Sequence, residues 1–137
     1  MLCTGEMGNG NKWLPLHYKG LQIYKAKKHS YLISGDVTLK DGRGGDSIYG
    51  YTFDDENFDL SFDQPYLVAM VNTGPNTNNS QFMITLKPMP EMNGKNVVFG
   101  QVIDGFETLF AINKTIPNGS DKPERRIEIV ESGLLDD

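Results

Sequence analysis

Short runs of β-forming residues, separated by turns that contain glycine and proline, constrain the fold of this chain more than any other feature. The 137 residues include 15 glycines and 7 prolines, which fall between the apolar runs. Such spacing is typical of an all-β domain and not of alternating strands and helices. The predicted strands are residues 21–26, 31–34, 66–71, 81–86, 96–102 and 126–131.

One segment, residues 105–113, has the periodicity of a helix. Its apolar face is predicted from residues at spacings of three and four: Phe106, Leu109 and Phe110, then Ile112 or Asn113. Asp104 stands where a capping residue is expected, and Lys114 lies near the end that favours positive charge. We therefore predict a mainly β fold with one helix packed on the sheet.

Length and charge exclude several classes of protein. A chain of 137 residues suits a single domain, predicted over residues 1–137. The 13 basic and 18 acidic residues give a net charge of -5 and form no basic stripe, so direct binding to nucleic acid is not expected. No apolar run approaches the roughly 18 residues that cross a membrane, and the first residues do not form a signal peptide. A cytoplasmic location is expected, with the closing "LLDD" on the surface.

The stretch "NTGPNTNNSQFMI", residues 72–84, joins a polar, turn-forming run directly to an apolar strand. Asparagine and glycine fill many turns, so the loop is either a plain connection or the rim of a site. Neither interpretation is excluded by the loop alone.

Several sequence blocks, taken together in their order along the chain, say more about the fold and function than this loop does. They are "LHYKG" (16–20), "SGD" (34–36), "GGDSIYGYTFDDENF" (44–58), "AMVNTGPNTNNSQFMIT" (69–85), "GKNVVFGQVIDG" (94–105) and "IEIVESGLL" (127–135). Together they resemble the cyclophilins, which are β-barrel peptidyl-prolyl cis-trans isomerases. The resemblance runs from "CTGE" at Cys3 to the C-terminus. It implies an antiparallel β-barrel with a packed helix, and proline-containing peptides or proteins as partners.

The resemblance also predicts that part of the fold is missing. Family members normally carry further strands and most of a helix ahead of the "TGE" block, whereas only "ML" precedes Cys3 here. An incomplete barrel has open strand edges that need a cover. The chain is therefore expected to be N-terminally truncated relative to the family, as a piece or alternative start of a longer protein.

The chemistry of the family sets what a site must contain. Rotation about an X-Pro bond crosses a barrier of roughly 18–20 kcal/mol because amide resonance is broken. A catalyst must hold the proline ring and place a hydrogen-bond donor at the twisted amide. The rigid fork of a guanidinium suits this role. By resemblance, the retained part of the substrate cleft comprises Met70, Val71, Asn72, Thr73, Gln81 and Phe82.

Other positions depart from the family pattern. Lys25 stands at the position of the catalytic arginine, and Ile33 replaces the glutamine that braces it. Ser30 and Met83 stand where the family has pocket phenylalanines, and Tyr31 where it has a methionine. The remaining cleft positions also differ, with Glu91 in place of the tryptophan that binds cyclosporin, Met92 in place of a leucine and Asn96 in place of a histidine.

These departures predict weak catalysis. Each lost aromatic wall removes roughly 1.5–3 kcal/mol of apolar contact, and lysine is a flexible point donor. A loss of about 3–4 kcal/mol in transition-state binding is roughly a hundred- to thousandfold in rate. We predict a cyclophilin-like domain with little or no isomerase activity that serves as a protein-binding or structural subunit of a larger assembly, whether cytoskeletal or other.

The alternative is an active isomerase that uses Lys25 in place of arginine. Cyclosporin binding is expected to be weak because of Glu91. No cofactor and no metal site are predicted, since His17 and His29 lack partners at ligand spacing.

Overall fold

The computed structural model describes residues 1–135, which contain five strands, one α-helix and one short 3-10 helix. The strands are β1 (Lys25–Lys27), β2 (Tyr31–Ser34), β3 (Leu67–Met70), β4 (Phe82–Thr85) and β5 (Val98–Gln101). The helix α1 spans Phe106–Lys114, and the 3-10 helix spans Pro90–Met92.

The strands form one antiparallel sheet in the order β1-β2-β4-β3-β5. Because side chains alternate between the two faces of a sheet, residues paired in register point to the same face. One row of paired residues crosses all five strands: Lys25, Ile33, Met83, Ala69 and Val98. The adjacent row points to the other face: Ala26, Leu32, Ile84, Val68 and Gly100.

The helix covers the face that carries Leu32. Ala26, Leu32, Leu109 and Ile116 form a buried cluster, against which Ile84 packs. Each fully buried leucine contributes roughly 1.5–3 kcal/mol to the free energy of unfolding, so this contact fixes the helix on the sheet.

The opposite face has its own core. Its buried members are Ile33, Phe62, Leu67, Ala69, Met83, Met89 and Val98. No helix described in residues 1–135 lies in this cluster apart from the 3-10 turn, where Met92 packs against it. One sheet therefore separates two apolar clusters, and α1 lies on only one side of it.

Two of the predicted strands are shorter than expected. The prediction over 21–26 is wrong before Lys25, since Gln22 makes only an isolated bridge with Glu128. The prediction of a strand over 126–131 is wrong for the same reason. Single backbone hydrogen bonds join the segments, from Ile23 N to the Ile127 oxygen at 2.9 Å and from Ile129 N to the Leu21 oxygen at 2.8 Å. The pairing is too short to extend into a ladder.

The other predicted strands and the helix agree with the structure to within two residues at each end. The predicted apolar face of α1 is wrong for Phe106 and Phe110, which are 42% and 61% exposed. Leu109 and Asn113, the latter one of the two alternatives at the end of that face, are buried. Asp104 does not cap the helix. Its carboxylate accepts a hydrogen bond from Gly105 N, and Gly105 is the N-cap, with no side-chain capping bond.

Leu134 and Leu135 are exposed, as expected for the closing segment, and its last two residues lie outside the described part of the chain. Within residues 1–135, no helix has both the length and the apolar character that crossing a membrane requires.

Candidate functional site

A cavity of about 910 Å³ opens on the sheet face opposite α1, and we call it the cleft. Eight of the fourteen predicted site residues line it: Lys25, Tyr31, Ile33, Val71, Asn72, Met83, Met92 and Asn96. Seven further residues line it as well: Asp55, Phe58, Gly74, Pro75, Asn76, Gly94 and Lys95. The fold thus brings together residues that are up to 71 positions apart in the chain, from Lys25 to Asn96.

The floor of the cleft is set by strand register. Ile33 on β2 and Met83 on β4 are direct partners, so their side chains lie side by side on the same face. Both are nearly buried, with 8% and 3% of their surface exposed. Tyr31 and Met92 pack against the same apolar cluster. This floor offers the apolar contact that a proline ring needs.

Lys25 lies at one side of the floor. It is the register partner of Ile33, and because β1 is the first strand in the sheet order, Lys25 stands at the edge. Its side chain is half-buried and, within residues 1–135, its ammonium group makes no ion pair. The cleft therefore presents a cation whose charge is available to a ligand.

Two asparagines tie together the loops that form the rim. The Asn72 amide donates a hydrogen bond to the Lys95 carbonyl oxygen at 2.7 Å. The Asn96 amide donates to the Met70 carbonyl oxygen at 3.1 Å. Both side chains are thus used in fixing the shape of the rim. The loop after β3 thus lines the cleft with Asn72, Gly74, Pro75 and Asn76.

Asp55 and Phe58 reach the cleft through a contact that sequence reasoning missed. Asp55 N donates to the Asn76 side-chain oxygen at 2.9 Å, and Asn76 N donates back to the Asp55 carboxylate at 3.0 Å. The Asn78 amide adds a hydrogen bond to the same carboxylate at 2.7 Å. These bonds fasten the segment around Asp55 to the loop after β3. The sequence signal for this contact is the run "DDENF", residues 54–58.

Gln81 is predicted to lie in the cleft, but its side chain points elsewhere. Gln81 is 6% exposed, and its amide donates to the carbonyl oxygens of Gly42 at 3.1 Å and Gly44 at 2.6 Å. Its side-chain oxygen accepts a hydrogen bond from the Tyr24 hydroxyl. Burial, aided by the nearby carboxylates of Asp36 and Asp41, raises the pKa of Tyr24 well above its usual range, so the hydroxyl keeps its proton and donates.

Phe82 is also outside the cleft lining. It neighbours Met83 on β4 and therefore points to the other face, where its ring packs edge-on against Tyr18 with centroids 5.0 Å apart. The alternation along β4 thus keeps Met83 in the cleft and removes Phe82 from it.

Four more predicted residues do not line the cleft. Ser30 is buried in the turn before β2, and Met70 is half-buried on β3. Thr73 is exposed and its N–H donates to the Thr77 hydroxyl at 2.9 Å. Glu91 is exposed on the 3-10 helix. Phe58, from a different segment, is the aromatic residue other than Tyr31 in the cleft lining.

Comparison with known proteins relates almost the whole chain to a single protein family. Residues 1–134 match the family described as cyclophilin type peptidyl-prolyl cis-trans isomerase/CLD. The chain is 49% identical over 135 residues to peptidyl-prolyl cis-trans isomerase 9 of Caenorhabditis briggsae, covering 98% of this chain and 43% of that protein. It is 44% identical over 135 residues to the protein of the same name from Caenorhabditis elegans, covering 98% and 44%. The chain thus spans less than half the length of these relatives.

A solved structure gives the same result for the fold. The crystal structure of a cyclophilin type peptidyl-prolyl cis-trans isomerase from Cryptosporidium parvum superposes with a TM-score of 0.82 and 39% sequence identity, covering 88% of this chain and 76% of that one. The predicted mainly β fold and the predicted resemblance are both confirmed.

Proposed function

Because the chain belongs to the cyclophilin-type peptidyl-prolyl cis-trans isomerase family, we propose that its cleft binds proline-containing segments of other proteins with little or no catalysis of their isomerisation. The observation that carries the proposal is the pairing of Lys25 with Ile33. A flexible ammonium stands beside an apolar side chain, where nothing polar on the floor holds it in position.

Binding is supported by the apolar lining. Ile33, Met83 and Tyr31 offer a surface for a proline ring, and Phe58 and Val71 add to it. Pockets for small ligands are mostly apolar, with a few polar groups that fix orientation. Methionine adapts its shape to irregular ligands. A slot of this kind favours binding of varied proline segments over a tight fit to one geometry.

Weak turnover follows from what the transition state requires. Catalysis demands interactions that are stronger with the twisted amide than with either planar isomer. Such interactions depend on donors that are already held in position, and an unbraced lysine must first lose rotamer freedom. A deficit of about 3–4 kcal/mol corresponds to roughly a hundred- to thousandfold in rate.

A second candidate is an active isomerase in which Lys25 is the donor. The position of Lys25 in the same cavity as Ile33 and Met83 favours it, as do the names of the relatives. In this mechanism the Lys25 ammonium donates a hydrogen bond to the prolyl nitrogen once rotation has broken its conjugation. The nitrogen of a planar amide cannot accept this bond, so the bond stabilises the twisted amide alone and lowers the barrier to rotation.

An exchange measurement by NMR on an Ala-Pro peptide separates the two candidates. We expect line broadening that reports peptide binding and an isomerisation rate close to that of the free peptide. We also expect Lys25→Arg with Ile33→Gln to raise the rate, because a guanidinium would then have a polar brace. Lys12→Ala is a matched control, since Lys12 is an exposed lysine outside the cleft lining.

A clear rate enhancement by the wild-type chain that Lys25→Ala abolishes and Lys12→Ala preserves would establish the second candidate instead. Absence of any binding by proline peptides would contradict both.

Partners beyond the cleft are part of the same proposal. It includes a role within a larger protein assembly, whether cytoskeletal or other. Weak cyclosporin binding stays a prediction. Glu91 does not explain it, because Glu91 is not among the residues that line the cleft.

A further inference from the structure

A second cavity, of about 900 Å³, adjoins the cleft and shares Lys25 and Tyr31 with it. Its other described walls are the turn 27–29 and the turn 118–121. We call it the lysine cavity. Because Lys25 and Tyr31 are walls of both, an extended ligand that leaves the cleft past Tyr31 enters the lysine cavity directly.

The lysine cavity is strongly cationic. Lys25, Lys27 and Lys28 all line it, and Asp121 is the one acidic residue in its described lining. Within residues 1–135, none of these three lysines forms an ion pair. This concentration of positive charge contrasts with the net charge of -5 for the chain.

Protection of a strand edge does not explain three lysines. Lysine on an edge strand commonly prevents pairing with other chains. Here the outer edge of β1 is already occupied, because Ala26 N donates to the Asp121 carbonyl oxygen at 2.8 Å. A ligand that carries negative charge would find three lysines in the lining of one cavity, none of them in an ion pair within residues 1–135.

The acidic group in the neighbouring cleft already has hydrogen-bond partners within the protein. The Asp55 carboxylate accepts hydrogen bonds from Asn76 N at 3.0 Å and from the Asn78 amide at 2.7 Å. The cleft also contains Lys95. The combined surface therefore carries four lysines against two carboxylates, and one of those carboxylates is already hydrogen-bonded.

We propose that the cleft selects proline-containing segments with an anionic side chain close to the proline, and that the lysine cavity receives that anion. This inference rests on the proposed function, in which the cleft binds proline segments. Lysine acts as a point charge without strict geometry, so both a carboxylate and a phosphoryl group satisfy the chemistry. A phosphoryl group carries more charge and is expected to bind more tightly. The acidic remainder of the protein surface repels such segments, which favours this one orientation.

Titration by isothermal calorimetry or fluorescence anisotropy tests the proposal on the full chain. The probes are a neutral Ala-Ala-Pro-Ala-Ala peptide, versions with glutamate or phosphoserine before or after the proline, and a glutamate peptide with alanine in place of proline. We expect the anionic proline peptides to bind roughly three- to tenfold more tightly than the neutral one at low salt, consistent with exposed ion pairs. The difference should largely disappear at about 0.5 M salt.

Charge reversal provides the matched variants. Lys27→Glu with Lys28→Glu should abolish or reverse the preference for the anion while leaving the affinity for the neutral peptide within about twofold. Lys12→Glu with Lys40→Glu makes the same change in net charge at exposed lysines outside both cavities, and should keep the preference.

The outcomes separate this inference from the proposed function. If the neutral proline peptide binds but the anionic versions bind no more tightly, the inference is overturned and the proposed function stands. If the proline-free glutamate peptide binds as well as its proline counterpart, the lysines form a general anion surface and selection of proline segments is refuted. If no proline peptide binds, both proposals fail.

Discussion

The Tyr24 hydroxyl donates a hydrogen bond to the side-chain oxygen of Gln81, and this contact holds Gln81 away from the cleft. Replacing Tyr24 by phenylalanine leaves a buried oxygen without its donor. We expect the free energy of unfolding to fall by about 1–3 kcal/mol, measured by urea denaturation. Tyr31→Phe is the control and should change it by less than about 0.5 kcal/mol. Equal effects of the two variants would show that the Tyr24 contact has no special role.

Asp36 organises the loop after β2, and its replacement by asparagine should strongly destabilise the fold. Asp36 is 1% exposed, and its carboxylate accepts hydrogen bonds from five backbone N–H groups: Thr38, Leu39, Asp41, Gly42 and Gly44. An asparagine has one acceptor oxygen and no charge, so several donors lose their partner. We expect a loss of about 3 kcal/mol or more in the free energy of unfolding.

The exposed carboxylate of Asp41 supplies the control for that measurement. Asp41→Asn, in the same loop, should leave the free energy of unfolding nearly unchanged, because the Asp41–Arg43 ion pair is exposed and solvent screens it. A comparable loss in both variants would mean that loop geometry, and not the buried carboxylate, determines stability.

The carboxylate of Asp36 should make the free energy of unfolding depend on pH in the acidic range. Burial raises the pKa of Asp36, but the N–H groups of Gly44, Leu39, Gly42 and Thr38 lower it more, and the net pKa is below its usual value. A folded pKa below the unfolded value of about 4 means that the stabilisation is complete above pH 4 and is lost as pH falls through the folded pKa. Urea midpoints measured from pH 7 down to about pH 3 should fall in the wild-type chain. They should fall less in Asp36→Asn, and parallel curves would contradict this role.

Asn113 joins α1 to the turn between β1 and β2. Its side-chain oxygen accepts a hydrogen bond from His29 N at 2.7 Å, and its amide donates to the His29 ring nitrogen Nδ1 at 3.0 Å. His29 has a φ of 62°, a conformation that needs support from such contacts. Asn113→Ala should lower the free energy of unfolding by about 1–3 kcal/mol, measured by urea denaturation. Asn118→Ala, at an exposed asparagine, should have little effect, and an equal loss there would refute this explanation.

Much of the fold was predictable because it depends on local patterns. The run "YLIS" is β2 in full, and the helix was predicted to within one residue at each end. The apolar face of α1 was only partly predictable. Periodicity includes Leu109 and offers Asn113 as an alternative, and both are buried, but it could not show that Phe106 and Phe110 are exposed.

The cleft was partly predictable for a related reason. Strand alternation places Lys25, Ile33 and Met83 on one face once their register is known. The contribution of Asp55 depends on amide contacts between distant loops, which no local pattern encodes. Gln81 was misplaced because its orientation is determined by Tyr24, a neighbour in space that the family pattern does not specify.

Strand alternation also separates two structural roles in this chain. Residues that line the cleft, such as Ile33 and Met83, alternate along β2 and β4 with Leu32 and Ile84, which pack in the same cluster as Leu109 of the helix. A single exchange on one face changes no side chain on the other. Ligand preference can therefore diverge among descendants of this sequence while the architecture that supports it is inherited unchanged.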